Sequence, residues 1–98
     1  MCGATTGGLS IEGIDVTKET VIQGVVESGG SPVGGAYVRL LDASGEFTAE
    51  QPTSATGAFR FFAAPGQWTL RALAPSGVGE ATVRTDGPGV TETTITLP

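Results

Sequence analysis

Apolar side chains along this chain recur at every second position, in short runs separated by glycine and proline. No 12-residue stretch shows sustained apolar spacing at three and four, so no amphipathic helix is expected. The alternation predicts strands at 21–27, 36–42, 47–51, 58–63, 67–74, 79–84 and 90–97. Between them stand Ser28-Gly29-Gly30-Ser31-Pro32, Ala43-Ser44-Gly45, Thr56-Gly57, Pro65-Gly66, Pro75-Ser76-Gly77 and Asp86-Gly87-Pro88-Gly89. Each holds a residue that takes positive φ or arrives with φ preset, which is what a turn needs. Seven short strands at this spacing predict an all-β fold, a two-sheet antiparallel sandwich. Residues 1–20 read as a flexible arm and lead-in, and residues 21–98 as the sandwich domain.

Side chains two apart on a strand share a face. On that rule the inward set is Ala36, Val38, Leu40, then Phe59 and Phe61, then Trp68, Leu70, Ala72. Ala81, Val83, Ile95 and Leu97 continue it, and Trp68, Phe59 and Phe61 are expected to bury the most surface. The opposite parity is less polar than an outer face should be: Tyr37, Arg39, Leu41, then Arg60, Phe62, then Arg71, Leu73. Three strands thus set an arginine two residues from a large apolar side chain. One reading is arginine stems lying over partly exposed apolar neighbours. The other is an interface with another protein or another copy of this chain, where arginine and aromatics are enriched. The choice turns on whether these strands share a sheet.

Length and charge narrow the function classes. At 98 residues the chain supplies one core, and its 39% hydrophobic content suffices to fold without staples. Ten carboxylates against five basic residues give a net charge of −5, which repels a phosphate backbone, so nucleic-acid binding is not expected. No apolar run approaches the roughly 18 residues of a membrane span, and residues 1–10 lack the apolar core of a signal peptide. Membrane association is not expected, and a cytoplasmic location is. A single cysteine excludes an intrachain disulfide. The absence of histidine removes the commonest general base and zinc ligand. Glu46 and Glu50 fall on one strand face about 13 Å apart, and with no histidine to activate a serine, no catalytic residue, metal or cofactor is expected.

Two resemblances bear on this reading. From Gly24 to Ala74 the chain resembles carboxypeptidase-regulatory-like domains, which adopt a transthyretin-like sandwich. Gly24-Val25-Val26, the run Pro32-Val33-Gly34-Gly35-Ala36-Tyr37-Val38-Arg39-Leu40, Gly45, Ala55-Thr56-Gly57-Ala58-Phe59-Arg60-Phe61 and Pro65-Gly66-Gln67-Trp68-Thr69-Leu70 carry it. Over nearly the whole length the chain also resembles the small SseC-type proteins of actinobacteria, whose biochemical function is unknown. That likeness rests on Met1-Cys2, Lys18-Glu19-Thr20-Val21-Ile22, the run from Gly34 through Asp42, Glu46-Phe47-Thr48-Ala49-Glu50 and the run from Phe59 through Leu73. It implies association with a rhodanese-like thiosulfate sulfurtransferase, and so with sulfur metabolism.

Against that background Cys2 is the candidate sulfur acceptor. If Met1 is removed, its thiol lies beside a free α-ammonium, which favours the thiolate, and an exposed low-pKa thiol is a reactive one. Two functions stay open on sequence alone: a non-enzymatic accessory partner of the sulfurtransferase, with Cys2 as carrier or bystander, and a scaffold module with no sulfur role. Whether the chain self-associates is also open.

Overall fold

The computed structural model describes residues 18–98. Residues 1–17, Cys2 included, lie outside the described residues, and with them most of the expected arm and lead-in at 1–20. All regular structure among the described residues is strand, and no helix there is long and apolar enough to cross a membrane. The strands are β1 (Thr20–Ser28), β2 (Ser31–Pro32), β3 (Tyr37–Leu41), β4 (Phe47–Pro52), β5 (Ala58–Phe62), β6 (Gly66–Ala74), β7 (Gly77–Thr85) and β8 (Gly89–Leu97). Every strand expected from the alternation is present, and the two-residue β2 is added.

The first sheet is built around β1. Its one edge is taken along the full length by β8, from Thr20 opposite Gly89 to Ser28 opposite Leu97. The other edge is shared end to end by β5 and β2. The second sheet has the order β4-β3-β6-β7, antiparallel throughout. The two-sheet sandwich therefore stands as expected, with one pairing that alternation does not carry: β8 runs parallel to β1. Short turns force antiparallel neighbours, but the first and last strands are joined by the whole domain, which frees their relative direction.

Ile22 and Val26 of β1, Val38 and Leu40 of β3, Phe59 and Phe61 of β5, Leu70 and Ala72 of β6, and Ile95 and Leu97 of β8 meet between the sheets as one cluster. Removing each such side chain from water contributes roughly 1.5–3 kcal/mol for the larger ones. The Phe59 and Phe61 rings lie 6.1 Å apart at 47°. Trp68 departs from expectation. It is only half-buried against this cluster, and its indole N–H donates to the Ala64 carbonyl at 2.9 Å. A buried indole must find an acceptor, and the one within reach lies at the rim, which holds the ring there.

Two junctions tie the edges together. Gly57 sits where β5 gives way to β2 along β1, with φ of 76°, and its carbonyl accepts the Val26 N–H at 2.8 Å. A Cβ there would meet the Val26 carbonyl oxygen at 2.6 Å, so both the φ and the space require glycine. Nearby, the buried Thr53 hydroxyl accepts the Ala36 N–H at 2.9 Å and donates to the Val33 carbonyl at 2.8 Å. Thr53→Val keeps the shape and orphans both backbone groups, so it should cost about 2 kcal/mol, while Thr53→Ser should cost far less. Urea unfolding of the two variants checks this; equal losses would show that the methyl group, not the hydroxyl, matters.

Candidate functional site

The outer face of the second sheet is organised in rows by strand register. Pro52, Tyr37, Leu73 and Val78 are direct cross-strand partners, so one apolar row crosses all four strands. At about 4.8 Å per strand it runs some 14 Å. Pro52 is exposed, Leu73 half-buried, and Tyr37 and Val78 are each 53% exposed. The next row is charged: Glu50, Arg39, Arg71, Glu80. Arg39 Nε donates to Glu50 at 2.8 Å and Arg71 Nε to Glu80 at 2.6 Å. The third row is Phe47, Leu41, Thr69, Thr82, and Gln67 opposite Arg84 continues the face across β6 and β7.

The paired charges in the second row are well exposed, so their contribution to folding stability is small. Their effect is orientation. Arg39 and Arg71 face each other across β3 and β6, and each guanidinium is held toward the carboxylate on the flanking strand.

The seven side chains singled out from sequence divide between the two sheets. Tyr37, Arg39, Leu41, Arg71 and Leu73 share this face, because β3 and β6 are neighbours. Arg60 and Phe62 do not, since β5 belongs to the other sheet. There Arg60 Nε donates to Gln23 at 3.0 Å, Gln23 reaches Glu92 at 3.5 Å, and Phe62 is 57% exposed. Leu41 is corrected in a second way. Although on the outward parity it is only 7% exposed, because the register shift at Leu40/Leu41 sets it between Phe47 and Thr69. Phe47, at 61%, is the exposed apolar group of that row. Sequence reading missed Pro52, Glu50, Val78 and Glu80. The alternation of Val78, Glu80, Thr82 and Arg84 was visible, but which strand they lie beside was not.

Other polar clusters are structural. Asp42 accepts from the Ser44 hydroxyl at 2.6 Å and from the Ser44 and Glu46 N–H groups at 2.9 and 3.0 Å. The Ser44 hydroxyl first, then the Glu46 amide, hold the Asp42 carboxyl below its ordinary range. This closes the β3–β4 turn, and Glu46 precedes β4, so Glu46 and Glu50 do not share a strand. Among the described residues no group of three or more His, Cys, Asp or Glu could hold a metal ion. No buried side-chain nitrogen or oxygen there lacks a partner.

Solved structures with this architecture share little sequence with the chain. The TIE protein of Bacillus anthracis superposes with a TM-score of 0.68 at 10% identity, over 82% of this chain and 18% of that one. The 5-hydroxyisourate hydrolase of Klebsiella pneumoniae superposes with a TM-score of 0.60 at 16% identity, over 80% of this chain and 84% of that one. At such identities the likeness shows the transthyretin-like fold alone. An uncharacterized protein of Mycobacterium tuberculosis is 54% identical over 99 residues, covering 99% of both chains. Residues 2–97 match the family described as protein of unknown function DUF1416. The chain belongs to that family.

Proposed function

We propose that this chain is a non-enzymatic binding module that docks another protein on the outer face of its second sheet. The observation that carries the reading is the apolar row Pro52–Tyr37–Leu73–Val78, open to solvent on a rigid four-stranded support. Arginine and tyrosine on one face are the residue types that anchor interfaces. Three rows on four strands cover about 400 Å² by strand and residue spacing. A standard stable interface buries about 800 Å² per partner, so the contact is a transient one.

The resemblance to SseC-type proteins supports a rhodanese-like thiosulfate sulfurtransferase as the partner. In that complex the Cys2 thiolate attacks the outer sulfur of the enzyme's persulfide. A new S–S bond forms on Cys2 and the enzyme's thiolate leaves, with no net redox change. Calorimetric titration of the purified sulfurtransferase into the full chain tests the docking. Tyr37→Ser with Val78→Ser should weaken binding about tenfold to a hundredfold, since truncating an anchor costs more than about 1 kcal/mol. Unchanged affinity would reject the face. Cys2→Ser should leave affinity unchanged and abolish a +32 Da adduct on the N-terminal peptide; a wild-type chain that gains no adduct would leave a scaffold without a sulfur role.

A further inference from the structure

The charge pattern on this face specifies what kind of segment it receives. We infer that the partner lays an extended segment across the rows, placing a carboxylate over Arg39 and Arg71 and an apolar side chain, two residues away, over Tyr37 and Leu73. The inference rests on the docking reading above and adds the chemistry of the occupant.

Arg39 and Arg71 are direct cross-strand partners on the two central strands, so two like-charged side chains leave the sheet from Cβ atoms about 5 Å apart. Directly opposed like charges are unfavourable in a sheet, and the flanking carboxylates relieve this only from the sides. Each ion pair uses Nε, and no second partner among the described residues takes the terminal nitrogens. A guanidinium has five N–H donors and matches a carboxylate in plane, so an acid above this row can receive hydrogen bonds from the terminal nitrogens of either arginine. Three of the chain's five basic residues, Arg39, Arg71 and Arg84, lie on this face, balanced by their partners Glu50, Glu80 and Asp86, while the chain as a whole carries −5. An acidic segment approaching the molecule therefore meets its least repulsive surface here.

The same pattern argues against a second copy as occupant. Glu50–Arg39–Arg71–Glu80 reads identically from either end. Two copies stacked face to face on this row, with strands aligned along or across the two-fold axis, place arginine over arginine and glutamate over glutamate. Alternate residues of an extended segment are about 6.6–6.8 Å apart, which is also the spacing of successive rows on one face. An acid and an apolar residue at i and i+2 therefore fall over the charged row and the apolar row together.

Panning a phage-displayed random peptide library on the immobilised full chain tests this. Enriched peptides should carry Asp or Glu two residues from a large apolar residue. The leading peptide, made synthetically, should lose at least tenfold in affinity when its acid becomes the amide, and similarly against the Arg39→Gln/Arg71→Gln chain. Arg39 is exposed and the half-buried Arg71 keeps its side chain 42% exposed, so that variant should fold, and its unfolding transition confirms it. If Tyr37→Ser abolishes peptide binding while Arg39→Gln/Arg71→Gln and the acid-to-amide change do not, docking survives and the carboxylate inference is overturned. If neither variant matters, or no peptide is enriched, the inference is overturned; indifference to both variants rejects the docking face as well.

Discussion

A Gly24→Ala chain should lose about 4 kcal/mol of folding stability, a severe effect for a single methyl group. Gly24 lies in the middle of β1, between Phe59 on β5 and Thr93 on β8. A Cβ at this position would overlap the Thr93 carbonyl group and would lie 3.2 Å from Phe59 Cζ. The ring could yield a few tenths of an ångström, but the carbonyl is part of the ladder that joins β1 to β8. Relief means pushing β8 away, and that ladder is what closes the first sheet. Domains of this size hold only about 5–15 kcal/mol in reserve, so the variant should sit close to its unfolding threshold. A control at Gly29, where nothing approaches within 4 Å, should lose only about 1 kcal/mol from its positive φ. Urea denaturation of both variants decides it: a Gly24→Ala loss below that of the control would mean that β8 can shift freely.

Phe59→Ala should be comparably damaging, at about 3–5 kcal/mol, from lost transfer energy and an unfilled cavity. Phe59 is the largest fully buried side chain, packed on Phe61 and on the Gly24 backbone. Phe59→Leu keeps most of the volume and should cost less than about 1.5 kcal/mol. Phe62, three residues along the same strand and 57% exposed, supplies the contrast: Phe62→Ala should fall within about 0.5 kcal/mol of the parent. Equal losses at positions 59 and 62 would show that the outer surface of the first sheet is buried against something more than the strands described.

The two stability predictions also bound what binding assays can say. Tyr37, Val78, Arg39 and Arg71 can be replaced without touching Phe59, Gly24 or the β1–β8 ladder, because they face away from the core cluster. Binding changes at those four positions therefore report on the surface and not on folding.

Much of the architecture was legible along the chain. Period-2 alternation located β3, β5, β6, β7 and β8 and oriented Val38, Phe59, Leu70 and Ile95 inward, since a strand has only two faces and burial selects one. Trp68 shows where the rule stops: parity placed it on the inner face, but its N–H requires an acceptor, and only the folded rim provides one. Leu41 shows another limit, because a bulge changes exposure without changing parity.

The candidate surface depended on information of a different kind. Local spacing determined that Tyr37, Arg39, Arg71 and Leu73 point the same way along their own strands, and composition determined that neither histidine nor a disulfide contributes. Tertiary structure alone decided that β3 lies beside β6, that β5 lies in the other sheet, and that Val78 and Pro52 complete the apolar row. The physical reason is that side-chain alternation is a property of a single strand. Cross-strand register arises only when backbone hydrogen bonds join segments distant in sequence, and no repeat within one strand encodes its neighbour.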